Sequence, residues 1–304
     1  HSLRSDNVQR YCYAGHVVFA KPHGNQASRV PLKAGAEMFG ASGVAADAEV
    51  IGLMLEGLKV ANMHTPVLLL GHMGIYLGLV EQLLAEGRLD EARRGELFNC
   101  IQRKGASDIR ALLDDSSTAA MLSALPDLMG DSGVLELAGK VLNSAAESVR
   151  SALDELKDLA AMIKARYPQV DLRIDVSELS GYGYHNGPVF AVYHPQHGRA
   201  LAQGGRYDGV GDIFGCGRAA TGFDLNLKQL MDSSYQRQGA YFAPYTADAP
   251  YAELTGLVSR LRSEGHRVIV AATEEEQPPH DCIGMLVHGQ DGWLVQPGNT
   301  APNE

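Results

Sequence analysis

Gly204-Gly205-Arg206-Tyr207-Asp208-Gly209, followed by Ala220-Thr221-Gly222-Phe223, is the stretch on which the fold turns. It reads as the end of one strand, a tight glycine turn, and then a strand entering a helix, with Leu225 to Leu230 helical. Arg206 and Asp208 are expected to pair structurally at the turn. A glycine pair alone is a weak signal for phosphate binding.

Working outward, Tyr11 to Phe19 is rich in Tyr and Val and alternates loosely, which predicts a strand. Lys21 to Ser28 holds Pro22, Gly24 and Asn25 and reads as a loop. Arg29 to Phe39 reads as a second, antiparallel strand closed by Gly40. Asp47 is the expected N-cap of a helix with Val50, Ile51, Met54, Leu55 and Leu58 on its apolar side. Thr65 to Leu70 reads as a short buried strand. Residues 73–165 show no strand alternation and read as helical, with Val149, Leu153, Leu156, Ala160 and Ile163 on one face. Leu172 to Val176 begins a strand. Pro188 to Tyr193 and Arg199 to Gln203 flank His194-Pro-Gln-His197-Gly as a hairpin. Beyond Gln236 the pattern changes: an amphipathic helix from Leu254 to Glu264 ends at Gly265, a strand runs from Arg267 to Ala272, and Met285–Val287 and Trp293–Val295 flank a turn at Gln290-Asp291-Gly292. Glu274 to Pro279 reads as solvated surface.

The 304 residues carry 26 basic and 36 acidic side chains, a formal charge of -10, which argues against nucleic acid as the main partner. Cys12, Cys100, Cys216 and Cys282 form no CxxC pair, consistent with a disulfide-free cytoplasmic protein. The apolar run Val67–Val80 is broken by Gly71, His72 and Gly74 and is too short and polar to span a bilayer. His194-x-x-His197 has no Cys or carboxylate beside it, so it reads as an exposed turn, and we expect no metal and no cofactor. The chain opens without Met, and we expect an N-terminal part to precede it.

Three motifs carry a resemblance. Arg29-Val-Pro-Leu-Lys33-Ala-Gly35-Ala-Glu37-Met-Phe39-Gly40 is similar to the second signature motif of the class II aminoacyl-tRNA synthetases as it stands in histidyl-tRNA synthetase, departing from it at Pro31 and Lys33. Gly181-Tyr182-Gly183-Tyr184-His185-Asn186-Gly187-Pro188-Val189-Phe190 resembles that family's histidine-specific signature, and residues 204–230 its third motif. The resemblance implies an α+β fold: an antiparallel six-stranded class II synthetase-like sheet flanked by helices, spanning residues 1–235, with a helical insertion at about 81–165 and a small C-terminal α/β appendage at 236–304. Three arginine positions of the family's adenylate chemistry fall on Phe19, Ser180 and Gln229, none of which can stabilise charge on a transferring phosphoryl group as an arginine does. The implied adenylation activity is therefore expected to be lost. The pocket side persists. By the same resemblance Glu37 faces a ligand ammonium, Tyr184 and His185 take the place of the paired tyrosines that recognise an imidazole, and Arg29 or Lys33 meets a ligand carboxylate. Read from the residues alone, Glu37 is an outward strand residue or a structural hydrogen bonder, and only the matched spacing favours the pocket; 181–187 alone reads as a glycine-aromatic turn at a sheet edge.

A synthetase-like body with degenerate catalytic motifs resembles the regulatory subunits of short-form ATP phosphoribosyltransferase. That resemblance implies a non-catalytic role in the first step of histidine biosynthesis. The expected partners are the catalytic subunit, histidine as allosteric ligand, and further copies in a hetero-octamer; nucleic acid and membrane are not expected. Two other readings stay open: a divergent histidyl-tRNA synthetase or amino-acid-activating paralogue using ATP, and a scaffold with no ligand.

Overall fold

The computed structural model describes residues 7–20, 28–63, 65–113, 115–179, 183–195, 198–215, 217–234, 239–245, 251–289 and 292–297. The chain forms two compact units, His1–Ser234 and Tyr235–Glu304.

In the first unit, β1 (Gln9–His16) and β2 (Leu32–Phe39) are followed by α1 (Val44–Val60), β3 (Val67–His72) and α2 (Met73–Ala85). Four helices come next: α3 (Glu91–Gln102), α4 (Ala106–Leu112), α5 (Ser117–Ala124) and, after the two-residue β4 (Met129–Gly130), α6 (Val134–Val141). Then come α7 (Glu147–Arg166), β5 (Asp171–Asp175), β6 (Pro188–Tyr193), β7 (Ala202–Arg206), a 3-10 turn at Asp208–Phe214, β8 (Ala220–Asn226) and α8 (Leu227–Ser234).

The sheet is eight-stranded and mixed, in the order β1-β2-β8-β7-β6-β3-β5-β4, not the expected six-stranded antiparallel one. The run from β1 to β3 is antiparallel throughout. The departure lies at the far edge. β5 returns to β3 through the helices α2 to α7, and a crossover of that length lays it parallel, Leu68 opposite Leu172. β4 then pairs antiparallel with β5.

Other boundaries differ for local reasons. β1 stops at His16, although Val17 and Phe19 still donate to the Pro31 and Arg29 carbonyls across the strand pair. Helix α1 starts at Val44 with Gly43, not Asp47, at its N-cap. Asp47 lies in the first turn, 1% exposed, because Arg206 draws it inward. Gly204 and Gly205 are not a turn; they sit inside β7, which begins three residues later than expected.

Alternation decides the two faces. Ala36 and Met38 of β2 and Phe223 and Leu225 of β8 are buried in the main core with Ile51, Met54 and Leu58 of α1. Lys33, Gly35 and Glu37 of β2 and Gly222 and Asp224 of β8 therefore belong to the opposite face. The helices α2, α5 and α7 close the core with Leu79, Leu83, Leu122, Leu153 and Leu156, each at most 3% exposed.

The second unit has β9 (Ala240–Ala243), α9 (Tyr251–Ser263), β10 (Arg267–Val270), β11 (Cys282–Gly289) and β12 (Gly292–Pro297) in a sheet ordered β10-β9-β11-β12. Leu254, Leu257, Val258 and Leu261 of α9 pack on Ala243, Val268 and Leu286. Residues 272–278 are exposed.

Candidate functional site

The face opposite α1 has a floor without side chains. Gly222 stands opposite Glu37 in the β2–β8 ladder and Gly205 opposite Gly222 in the β7–β8 ladder. A Cβ on Gly222 would lie 1.7 Å from Glu37 Oε2, and one on Gly205 would lie 2.8 Å from His185 Cδ2. These glycines leave the space that the polar groups occupy.

Glu37 is the centre of that space. Its Oε2 accepts a short hydrogen bond from the Tyr207 hydroxyl. Burial holds its carboxyl above the usual range; the Tyr207 bond opposes that, and the negative charge of Asp224 adds to it. Tyr184 stacks on Tyr207 with ring centroids 4.8 Å apart and an interplanar angle of 21°. His185 meets Tyr184 edge-on at 4.9 Å. Tyr13 of β1 lies across from Gly35. Its phenol is pushed up to about 12, by burial first and then by Glu37, Asp224 and Tyr184. Burial, then Glu37, also raises Tyr184, and burial, the Glu37 hydrogen bond and the Glu37 charge raise Tyr207. At neutral pH three neutral phenols thus surround one carboxylate, an arrangement that accepts one N–H donor or cation and stacks against a flat ring.

Arg206 fixes this cluster from the other side of β7. It is 5% exposed and spends its guanidinium on Asp47, on the Ala41 and Gly43 carbonyls and on Asp208. Asp208 accepts from the Ala220 amide at 2.8 Å, and the Tyr207 amide donates to the Ala220 carbonyl. The expected Arg206–Asp208 pair is present at 3.1 Å. Asn186 ties the Tyr184–His185 segment to the same place: its amide donates to the Arg206 carbonyl and its Oδ1 accepts from the Asp208 amide.

Lys33 lies on the same face. Its Nζ is 2.7 Å from Asp224 Oδ1 and 5.4 Å from the centre of the Phe19 ring. Arg29 is exposed, its Nε donating to the Phe19 carbonyl at 3.4 Å. Of the expected contacts, Glu37, Tyr184, His185 and Lys33 thus share the face or its rim, and Arg29 is engaged at the β1–β2 junction. Gln229 sits in the first turn of α8, its amide donating to Asn226 Oδ1. Ser180 and His197 lie outside the described residues.

Sequence reasoning assigned no pocket role to Tyr13, Tyr207 or Asp224. The available signal for Asp224 was alternation, which puts it on the face of Gly222, two residues before it. Tyr207 stood within the quoted glycine stretch, but its partner Glu37 is 170 residues away.

A groove of about 370 Å³ between β1, β2 and α1 lies on the other side of the sheet. Cys12, Met38, Val50 and Leu53 line it, beside an Arg10–Glu49 pair already joined at 2.6 Å. Glu37, Glu56 and Arg166 also contribute to its lining. Among the described residues no cluster of His, Cys, Asp and Glu is arranged to hold a metal ion, and no helix is long and apolar enough to cross a membrane.

Comparison with known proteins agrees with this fold. The family model for histidyl-tRNA synthetase matches residues 1–230. The chain is 39% identical over 306 aligned positions to an ATP phosphoribosyltransferase regulatory subunit of Pseudomonas syringae pv. syringae, covering 98% of this chain and 76% of the relative. It is 43% identical to the protein of the same description in Thioalkalivibrio sulfidiphilus, covering 88% and 68%. Among solved structures, an ATP phosphoribosyltransferase regulatory subunit/histidyl-tRNA synthetase from Bacillus halodurans superposes with a TM-score of 0.67 at 23% identity, covering 86% of this chain and 67% of that one, a likeness of fold.

Proposed function

This chain belongs to the family of ATP phosphoribosyltransferase regulatory subunits, built on the histidyl-tRNA synthetase fold, and from that premise we propose that it is a non-catalytic chain that switches a separate catalytic subunit on and returns it to low activity when histidine binds. The reaction controlled is the first step of histidine biosynthesis, in the cytoplasm, within a hetero-oligomer containing several copies of both chains.

The observation that carries this reading is the cluster that forms around Glu37, set against the residues that stand at the family's arginine positions. Around Glu37 the groups suited to an amino acid with an imidazole ring are together: an acceptor carboxylate, the Tyr184–Tyr207 stack and His185. At the sequence positions where the family's adenylate chemistry uses arginines, the chain has Phe19, Ser180 and Gln229. Histidine is held through Glu37, Tyr184 and His185, with its carboxylate directed towards Lys33. Feedback needs only that histidine bind one assembly state better than the other, and the coupling is then reciprocal.

The deciding assay mixes the full-length protein with a short-form catalytic subunit and follows phosphoribosyl-ATP formation with and without histidine. Activation that histidine reverses is the expected result. No effect in either condition, together with histidine-dependent pyrophosphate exchange by the chain alone, would make it an amino-acid-activating paralogue instead. Activation that histidine leaves unchanged would reduce it to a scaffold.

A further inference from the structure

Lys33 and Asp224 are the second charged group on the open face. They meet diagonally across the β2–β8 ladder, where Asp224 is opposite Gly35 and Lys33 opposite Asn226. Their side chains are 12% and 24% exposed, so the pair is sheltered but still reachable from solvent. The Phe19 ring walls one side of the ammonium. Lys33, Gly35 and Glu37 lie on one side of the same strand, which places the α-carbons of Lys33 and Glu37 roughly 13 Å apart. The Lys33 side chain leans along the strand to reach Asp224, which stands opposite Gly35, so its ammonium lies nearer Glu37 than its α-carbon does. Gly35 makes room for the Tyr13 phenol, whose hydroxyl lies 2.6 Å from where a Cβ would stand, and Gly222 makes room for the Glu37 carboxylate, so the Tyr13 ring floors the span.

The span therefore has a hydrogen-bond acceptor at one end, Glu37. At the other end is a cation already engaged by an internal carboxylate. That carboxylate has the same chemistry as the carboxylate of a free amino acid. We propose that Asp224 is a built-in stand-in for the ligand: on binding, the histidine carboxylate displaces Asp224 from Lys33, and this exchange sets the preference for a free amino acid over analogues that lack the carboxylate. The proposal rests on the reading that histidine occupies this face. Exchange replaces one ion pair by another, so the ligand gains only the difference between them. Asp224 thus lowers affinity, while Lys33 supplies discrimination. A ligand ending in an alcohol or a methylene leaves Asp224 where it is and gains nothing from Lys33.

The test is calorimetric titration of the full-length protein with L-histidine, with L-histidinol, in which a hydroxymethyl group replaces the carboxylate, and with histamine, which has neither. The parent should bind histidine at least about tenfold more tightly than either analogue, the scale of one hydrogen bond to a charged group. D224N should tighten histidine by about tenfold and leave histidinol unchanged. K33M should bring histidine down to the level of histidinol. The K33M/D224N double variant removes both charges, so it leaves no buried unpaired carboxylate, and should show the same loss of discrimination in a protein with an undisturbed thermal transition. Equal binding of histidine and histidinol by the parent, or a D224N variant that binds histidine no more tightly, overturns the exchange while leaving the pocket in place. Absence of histidine binding altogether removes the pocket reading, and the exchange with it.

Discussion

At the scale of single residues, Glu37 pits stability against binding. Burial holds its carboxyl above the usual range. A carboxyl whose folded value is raised binds more protons in the folded state than in the unfolded one across the interval between the two values. Stability therefore falls as pH rises through that interval and stays lowered above it. E37Q removes the buried charge and keeps the shape. Its melting temperature should exceed the parent's at pH 7.5, with the difference shrinking as pH drops into the carboxylate range. The same variant should bind histidine about tenfold or more weakly, because a charge-assisted bond becomes a neutral one. A variant that melts like the parent at every pH would mean that the carboxylate is not desolvated. An unchanged histidine affinity would remove Glu37 from the site. Gly222→Ala tests the same atom from the other strand. The new methyl group would fall 1.7 Å from Oε2 and 2.9 Å from the Ala36 carbonyl oxygen, so the carboxylate must swing away. The expected cost is about 1–3 kcal/mol of stability in denaturant titration, together with loss of the histidine response. Glu37 was legible in the sequence as a position in a spaced motif. Its partner was not, since a hydrogen bond between residues 37 and 207 is a product of the sheet order.

At the scale of elements, the helical segment between β3 and β5, packed on the core and paired through β4, is also tied to the sheet by a polar contact. Lys104 stands just past the end of α3 with φ 59°, in the left-handed region that favours glycine. From there its Nζ reaches both oxygens of Asp175, at 2.6 and 2.5 Å, and the Ser177 hydroxyl. Asp175 ends β5 and is 3% exposed, whereas the Lys104 side chain is 37% exposed. Removing the lysine strands a buried carboxylate, so K104M should lose about 1–3 kcal/mol, less than for a fully buried pair because solvent reaches the ammonium. Adding D175N should recover part of the loss. If the two effects simply add in a double-mutant cycle, the pair does not couple and the contact is no tie. The elements themselves were legible wherever local pattern and tertiary demand agreed. The pattern of α7 predicted its buried face, and Pro188–Tyr193 is a strand as expected. They were illegible where a residue served a distant partner. Asp47 has the chemistry of a helix cap, but Arg206, 159 positions away, takes its carboxylate. Gly204 and Gly205 have the chemistry of a turn, but they stay in β7 because Phe190 and His185 need the space above them.

At the scale of the whole molecule, spaced motifs were enough to indicate the antiparallel run from β1 to β3. The parallel β5 was beyond them, because it depends on where a long helical crossover returns. The division of the chain has a consequence of its own. Every residue of the proposed pocket, from Tyr13 to Asp224, belongs to the unit His1–Ser234. The main core and the core of α9 with its sheet share no residue. We therefore propose that the two units unfold separately and that ligand binding belongs to the first alone. At about 0.7 kcal/mol per residue the larger unit should contribute ~160 kcal/mol of unfolding enthalpy and the smaller ~50 kcal/mol. A unit of the smaller size has only a few kcal/mol of stability from one core, so its transition should come first. Scanning calorimetry should resolve two transitions, and saturating histidine should move only the larger, by mass action on the folded state. A chain ending at Ser234 should bind histidine within about threefold of the full length, a difference of well under 1.4 kcal/mol. One cooperative transition that histidine shifts as a whole, with no binding by the shortened chain, would mean that the second unit completes the site.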